Sequence, residues 1–472
     1  MSYFWPMRLA LPAACAAVLA LEAAAQGLRT PDVVRLVLER QPQLSEDSLD
    51  LAKAREQVDL LERKVILPKL DVTVGFGPAP GFRYDYTYDT SRNGAGDIVS
   101  VRKTDSTRHY AWWPMGPTFG TDVEVAQPLN VGKLRAGMRA ARAGARAAQA
   151  ELEGHRQTEV RKALEYLFAL EYANRMTALL LDANSRLDSV EQVLQGKLDS
   201  DEDGVSQTDL YQLQTGRFDL EKSLQEAKLG RERARTGLSF ALAMPADSLR
   251  LDDSLLQPLP ELPPLDTLDL HLHHPDLARL QAGLEAKQAL VEVERMGLGP
   301  DIFIFGKFSY TKAWVANRNQ QNQDVLITDP LNDISGMVGL GFKWHLNFWN
   351  QLGNVRSAEL DWQQLRRKEA YARIGLSSLL KDAWLRYSTL GERIESARKG
   401  RTAADAWLRT VGQQVDLDPS RAKDLVGPYK TWLEFQNKYW EAVYQRNLAA
   451  LEVLEGSGTL LTWPGFVGPD SP

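Results

Sequence analysis

The sequence predicts an α+β membrane protein that is built from two copies of the same set of helices and strands. Three observations lead to this class. A helical pattern over 132–197 is matched by a second one over 350–413, and at 1.5 Å per residue each would be about 100 Å long. Each long helix directly follows a segment of alternating apolar and polar residues, which is typical of a strand. The stretch Gln41-Pro42-Gln43-Leu44 has a counterpart, His274-Pro275-Asp276-Leu277, in the second copy.

The composition is that of an ordinary folded protein. Of 472 residues, 44% are hydrophobic and 25% are charged, so the chain can bury a large apolar core. The net charge of -6 and the lack of basic tracts interleaved with aromatic residues argue against nucleic acid as a partner. We therefore expect no nucleic-acid binding.

The N-terminus, residues 1–25, has the pattern of a secretory signal peptide. A basic residue precedes an apolar run from Leu9 to Leu21, and Ala23 to Ala25 offer the small side chains of a cleavage site. The single cysteine, Cys15, lies inside this run, so we expect a mature protein without a thiol. Lipidation of Cys15 is the open alternative, although the leucine of a lipoprotein signal lies one position too early, at Leu11.

The first copy, residues 26–244, begins with a helical pattern that Pro42 interrupts. Between its two strands, an excursion over 77–117 is rich in Gly, Pro and aromatic residues and has no sustained period. The predicted elements are a helix over 30–66, strands over 70–76 and 118–126, a long helix over 132–197 and a return helix over 206–242.

A Pro-rich linker, residues 245–266, separates this copy from the second, residues 267–455. The second copy repeats the order of elements and also begins with a helix. Its further predicted elements are strands over 301–310 and 337–346, a long helix over 350–413 and a return helix over 421–455, before a tail over 456–472. The duplication gives four strands per chain.

The predicted strands alternate apolar and polar side chains, as the wall of a transmembrane β-barrel does. Four strands with a lipid-compatible face cannot close on themselves, and open sheet edges are not tolerated in a bilayer. Three chains would supply twelve strands, and the same threefold arrangement would support the long helices side by side. The residues predicted to face lipid are Val72, Val74, Phe76, Phe119, Val123, Val125, Ile302, Ile304, Phe308, Val338, Leu340, Phe342 and Trp344.

The ordered set of these features resembles the TolC-like outer-membrane efflux protein (outer membrane factor) family over nearly the whole mature chain. The resemblance rests on the strand-to-helix corners Gln127-Pro128-Leu129-Asn130 and Leu346-Asn347-Phe348-Trp349 and the return-helix starts Thr208-Asp209-Leu210 and Lys423-Asp424-Leu425. It implies a homotrimer with a 12-stranded transmembrane β-barrel, four strands coming from each chain, which is continued by a long periplasmic α-helical barrel.

The resemblance also implies a function and partners. It suggests the outer-membrane duct of a tripartite efflux or type I secretion system, which passes cargo from an inner-membrane transporter and a periplasmic adaptor protein to the exterior. We expect a protein of the outer membrane that extends into the periplasm and contacts outer-membrane lipid. No thiol, phosphate-binding glycine motif or His-carboxylate-Ser set predicts an enzyme, and we expect no cofactor and no metal.

By the same resemblance, the acidic turns after the long helices would form the periplasmic tip, which narrows the tunnel and meets the adaptor. Repeated around a threefold axis, their carboxylates would form rings that attract cations and repel anions. The simpler interpretation is that acidic residues solvate an exposed turn. The candidates are Asp199, Asp201, Glu202, Asp203, Asp416 and Asp418.

Two other groups of residues invite interpretation. His271, His273 and His274 have the chemistry of metal ligands, but no cysteine lies nearby and we expect a solvated helix start instead. Tryptophans are typical of the aromatic belts at membrane surfaces. The belt candidates are Trp112, Trp113, Trp314 and, best placed on an alternating face, Trp344.

Two alternative functions belong to other classes. An exported trimeric coiled-coil structural or adhesive protein would explain the long helices, but it predicts sustained heptads and has no use for four amphipathic strands. A soluble periplasmic adaptor would pair one helical hairpin with small β domains, whereas this chain has two hairpins. The sequence does not identify the cargo or the partner transporter.

Overall fold

The computed structural model describes residues 28–85, 88–102, 107–200, 206–249, 256–267, 274–314, 332–344, 346–417 and 424–466. The predicted signal peptide lies outside these ranges. Within them, no helix combines the length and the apolar character that crossing a membrane would require.

The described elements alternate between long helices and strands. The helices are α1 (Thr30–Arg40), α2 (Pro42–Ile66), α3 (Val131–Asp199), α4 (Gln207–Leu242), α5 (Pro275–Met296), α6 (Phe348–Leu417) and α7 (Val426–Ser457). The strands are β1 (Lys69–Asp85), β2 (Tyr88–Arg92), β3 (Ile98–Arg102), β4 (Thr107–Pro128), β5 (Asp301–Ala313) and β6 (Asn332–Lys343). Four strands form an antiparallel sheet in the order β1-β4-β5-β6, and β2 and β3 pair separately.

The chain divides into two compact units. The helical unit comprises residues 1–54, 144–284 and 364–472, and the sheet unit comprises residues 55–143 and 285–363. The sheet therefore belongs to one unit, together with the adjoining ends of four helices. The helical unit contains most of the apolar core.

The core of the helical unit is built from α1, the middle of α3, the end of α4 and α7. Val37 of α1, Leu164 of α3, Leu238 of α4 and Leu454 of α7 are fully buried in one cluster. Phe466 of the C-terminal tail packs into the same cluster. Fully burying an apolar side chain of this size contributes about 1.5–3 kcal/mol, so the tail adds to the stability of the core.

The linker between the two copies is fixed by a buried asparagine. Asn447 of α7 is 0% exposed. Its Oδ1 accepts a hydrogen bond from the Leu259 backbone N–H at 2.9 Å, and its Nδ2 donates to the Gln257 carbonyl at 2.8 Å. The Tyr387 hydroxyl accepts a third bond, from the Leu262 N–H at 3.1 Å. The described part of the linker is therefore held against α6 and α7 by specific hydrogen bonds.

An asparagine stands immediately before each long helix. Asn130 precedes α3 and Asn347 precedes α6, in the position where Asn is among the preferred N-cap residues. The Asn130 side chain also accepts a hydrogen bond from the Ile302 N–H at 3.0 Å and donates to the Asp301 carboxylate at 2.6 Å. The first corner is thereby tied to the start of β5.

The strands extend beyond their predicted ends, and the prediction of an irregular excursion over 77–117 is wrong. Strand β1 continues to Asp85, β4 begins at Thr107, and β2 and β3 form a hairpin between them. Pro78 lies opposite Pro117 in this pairing, and the register shifts between Ala79 and Gly81. Prolines and glycines interrupt the alternation of side chains that predicts a strand. These segments are nevertheless strands because their backbones pair with neighbouring strands.

The other bounds differ by a few residues. The break predicted at Pro42 falls between α1 and α2, because proline begins the second helix. In the second copy, β6 begins at Asn332 and ends at Lys343, so its predicted end at 346 is wrong. Helix α6 starts at Phe348, two residues before its predicted start at 350.

Candidate functional site

The sheet has one apolar face that is formed by the residues predicted to face lipid. In the register, Val72 lies opposite Val123, and Val123 lies opposite Phe308. Ile304 and Leu340 form another such pair. Because paired residues of neighbouring strands project to the same side, the predicted residues on all four strands share one face. This face is solvent-exposed in the single chain, most of all at Val338, which is 84% exposed.

The opposite face of the sheet is polar. Asp71 lies opposite Glu124, which lies opposite Lys307, and the Lys307 Nζ is 2.7 Å from the Glu124 carboxylate. Thr73, Asp122 and Ser309 form the next such row. A sheet with one apolar and one polar face has the pattern of a barrel wall between lipid and an aqueous lumen.

Two phenylalanines of β5 cover glycines of β6 on the polar face. A Cβ added at Gly341 would lie 2.7 Å from the Phe303 ring, and one at Gly339 would lie 3.1 Å from the Phe305 ring. The two rings can lie there because the glycines have no side chains. Sequence reasoning assigned no role to these phenylalanines, although each pairs with a glycine in the alternating pattern.

Trp344, the best-placed belt candidate, is fixed just beyond the end of β6. Its indole Nε1 donates a hydrogen bond to the Leu298 carbonyl at 3.0 Å, and its ring contacts Phe348 edge-on with centroids 5.8 Å apart. About half of the residue stays exposed. Trp314 is also exposed, whereas the side chains of Trp112 and Trp113 lie outside the described residues.

Among the acidic candidates at the helix ends, the structure describes the side chain of Asp199 alone. Asp199, the last residue of α3, is exposed and accepts a hydrogen bond from the Gln195 side chain at 3.0 Å. Asp416 lies in the last turn of α6, but its side chain is outside the described part of the chain. Asp201, Glu202, Asp203 and Asp418 also lie outside it. Their role at the tip therefore stays a prediction.

An arginine that sequence reasoning missed links α3 and α4 near their shared end. Arg217 of α4 contacts Asp188 at 2.9 Å and Glu191 at 2.6 Å on α3, and Glu221 at 3.3 Å on its own helix. A hydrogen bond from Gln214 and the contact with Arg217 lower the pKa of Glu191. Arg217 thus joins α4 to α3 through two of its three carboxylate partners.

The expectation of a solvated helix start is wrong for His274. The residue is buried, and its Nδ1 accepts a hydrogen bond from the Asp276 N–H at 3.2 Å, so the imidazole caps α5. Burial lowers the pKa of His274, which keeps the ring neutral and able to accept this bond. His271 and His273 lie outside the described residues, among which no cluster of potential metal ligands occurs.

One carboxylate on α3 is partly buried without a partner among the described residues. Glu171 follows buried Leu170 and is one turn from Phe168, both of which belong to the main core. It forms no hydrogen bond or ion pair with any residue that the structure describes. Burial raises the pKa of Glu171 to about 7. Its side chain therefore titrates near neutral pH.

Two helices carry exposed apolar stripes that no described residue covers. Residues spaced by 7 or 11 positions return to nearly the same side of a helix, since seven or eleven residues complete almost whole turns. On α4 the stripe is Tyr211, Phe218, Leu229 and Phe240, and on α6 it is Tyr371, Ile374, Leu385 and Trp407. Each of these side chains is about half exposed or more. Such stripes indicate contacts with another chain.

Comparison of the sequence with protein-family models finds no match. Comparison with curated proteins also finds none. Similarity to known proteins is therefore found by comparing structures, not by these two sequence comparisons.

Solved structures of bacterial outer-membrane channels match nearly the whole chain. The Campylobacter jejuni CmeC outer membrane channel has a TM-score of 0.71 at 16% identity, covering 91% of this chain and 85% of its own. The open state of the Neisseria gonorrhoeae MtrE outer membrane channel has a TM-score of 0.67 at 15% identity, covering 91% and 89%. The Vibrio cholerae outer membrane protein VceC has a TM-score of 0.67 at 15% identity, covering 92% and 97%.

The chain has the TolC-like fold. The predicted combination of four strands and long helices is thereby confirmed. The CmeC and MtrE structures that share this fold are described as outer membrane channels. The homotrimer and the 12-stranded barrel are properties of an assembly and stay predictions for this chain.

Proposed function

We propose that three copies of this chain form the outer-membrane duct of an efflux system. The observation that carries this proposal is the exposed apolar face of the sheet, whose other face is polar. A periplasmic sheet would lose stability by exposing this face to water, whereas lipid would cover it. The TolC-like fold of outer-membrane channels supports the same location.

The edges of the sheet support the trimer. Strands β1 and β6 each have one neighbour, so each has a row of unpaired backbone groups. Pairing β6 of one copy with β1 of the next would satisfy these groups, and three copies would close a barrel of twelve strands. The stripes on α4 and α6 would be covered by neighbouring copies in the same assembly.

The duct passes cargo without chemistry of its own. An inner-membrane transporter supplies the energy, and a periplasmic adaptor protein joins the transporter to the helical end of the duct, in a tripartite efflux or a type I secretion system. The carboxylates predicted at the tip, from Asp199 to Asp203 together with Asp416 and Asp418, would favour cations there. The exposed amphipathic sheet argues against the coiled-coil adhesive alternative, which has no use for it.

Cross-linking tests the assembly directly. The only cysteine, Cys15, lies in the predicted signal peptide, so single cysteines can be introduced into a background without other thiols. We expect a variant with one cysteine in β1 and one in β6, such as Val74→Cys with Val338→Cys, to give covalent trimers with a flexible bismaleimide in outer membranes. A matched control with both cysteines on α2, Asp50→Cys with Glu56→Cys, should stay monomeric on denaturing gels.

Conductance tests the duct itself. Purified protein in planar bilayers should form open or gated channels, and the protein should fractionate with outer membranes. A protein that is a monomer without detergent, remains in the soluble fraction and gives no conductance would overturn the proposal.

A further inference from the structure

The seam of α4 lacks large side chains at every second position. Residues that alternate at spacings of three and four lie on one side of a helix, where a coiled coil normally places large apolar residues. On α4 these residues are Leu213, Gly216, Leu220, Ser223, Ala227 and Gly230. Two glycines and a serine thus occupy one of the two seam positions in three successive heptads.

A cavity of about 640 Å³ lies where these small residues face α3 and α7. Ala169 and Ala173 of α3 add further small side chains to its lining. A Cβ built on Gly216 or Gly230 would meet no atom within 4 Å, so a side chain can start at either position without a clash. The volume is within the range of about 300–1,000 Å³ that is usual for sites of drug-sized ligands.

Tyr429 of α7 lines this cavity with a hydroxyl that has no partner. The residue is 7% exposed, and its buried hydroxyl forms no hydrogen bond with any described residue. A buried unsatisfied group of this kind costs about 1–3 kcal/mol. Burial raises the pKa of Tyr429 to about 12, so the group is a neutral phenol that can donate or accept a hydrogen bond.

The lining also supplies an aromatic surface. The Tyr172 ring stacks on the Tyr444 ring with centroids 5.2 Å apart, and its hydroxyl donates to the Asn437 Oδ1 at 2.9 Å. This contact fixes both rings against α7. Flat aromatic groups of a ligand would find a preformed surface there.

The rim of the cavity is acidic. Asp219, Glu226 and Glu434 are exposed carboxylates of the lining, and Lys430 is its one exposed cation. None of these four side chains forms an ion pair within the part of the chain that the structure describes. The excess of carboxylates favours a cation over an anion at the mouth of the cavity.

We propose that this cavity binds a drug-sized amphipathic cation, with its apolar or aromatic body against α3 and α7, a polar group hydrogen-bonded to Tyr429, and its positive charge at the acidic rim. The acidic rim and the unpaired Tyr429 hydroxyl favour such a ligand over an apolar helix of a partner protein. This proposal does not depend on the proposed duct function, and the two can be tested separately.

Ethidium, a planar aromatic cation with two amino groups, is a suitable probe for the full-length protein in nanodiscs. We expect saturable binding, measured by fluorescence enhancement above that of empty nanodiscs, and no comparable binding of the anionic dye fluorescein. The cavity-filling variant Gly216→Leu with Gly230→Leu should weaken binding at least tenfold. The matched control, Gly196→Leu with Gly412→Leu, should change it less than twofold, since these glycines also have free space but do not line the cavity.

Tyr429→Phe tests the hydroxyl without filling the cavity. Ethidium should bind about fivefold more weakly, as expected for one lost hydrogen bond, while the ligand-free variant should be as heat-stable as the wild type or more so. Glu226→Gln with Glu434→Gln should weaken binding and reduce its dependence on salt. Reduced stability of ligand-free Tyr429→Phe would show that the hydroxyl has a partner in the protein, against the proposal.

Two results would overturn the proposed site. Equal ethidium affinity in the wild type and the cavity-filling variant would place the dye elsewhere. Cross-linking of Ser223→Cys to a second chain in dye-free protein would show that a neighbouring copy or a partner fills the cavity. Either result leaves the duct proposal to its own test, since trimer formation and conductance are measured on the same preparations.

Discussion

Replacing Glu171 with glutamine removes the partly buried carboxyl while keeping the size of the side chain. Raising a carboxyl pKa from 4.5 to about 7 corresponds to about 3 kcal/mol of differential stability. The pKa is raised in the folded state, so this stability is fully present below about pH 4.5 and is lost as the pH rises through 7. The wild type should therefore lose stability over this window, and Glu171→Gln should not lose this contribution.

Thermal unfolding of purified protein in detergent, followed by circular dichroism, measures the difference. At pH 8 we expect Glu171→Gln to unfold a few degrees above the wild type, with the advantage shrinking towards pH 5. Glu441→Gln, at an exposed carboxyl of α7, is the control and should shift the midpoint little at either pH. An advantage of Glu171→Gln that is the same at pH 5 and pH 8 would show that the Glu171 carboxyl does not cause this pH dependence, as would a less stable variant at pH 8.

Three further predictions concern other contacts. Asn447→Ala should destabilise the protein by about 2–4 kcal/mol, because it leaves linker backbone groups unsatisfied, and limited proteolysis should then cut the linker faster than in the wild type. Arg217→Met should lower the unfolding midpoint by less than Asn447→Ala does, since its ion pairs are only partly buried and stay within reach of solvent, and an equal or larger loss would contradict this ranking. Asp416→Asn with Asp418→Asn should reduce cation selectivity, measured as the reversal potential in a salt gradient. An unchanged potential would remove the acidic-ring hypothesis.

The sequence predicts the elements that repeat a local pattern. Alternation around Val72 and Phe342 locates the strands of the sheet, and long helical periods locate α3 and α6. The sequence does not predict the extension of β1 past Pro78, because pairing with β4, and not the local side chains, determines it. The stripes on α4 and α6 are visible as spacings once the exposed residues are known.

The features that the sequence does not predict depend on contacts between residues that are far apart in the chain. Asn447 meets the linker, and Arg217 meets α3, through separations that no local pattern records. His274 looks like a solvated residue in the sequence, and only the packing of its surroundings shows it to be a buried helix cap. The α4 seam could be predicted only in part. The sequence shows the spacing of its glycines, but the cavity depends on how α3 and α7 pack against them.

The exposed apolar face on a sheet with two open edges bears on how the protein is made. A newly exported copy has these edges before it meets lipid or another copy, and an open edge pairs readily with any extended chain. In the proposed assembly, folding, insertion and oligomerisation would therefore be coupled, and a chaperone would have to protect each copy until it meets lipid and its neighbours. Synthesis that outpaces this protection would yield aggregates in place of channels, so the rate of assembly would limit the number of ducts.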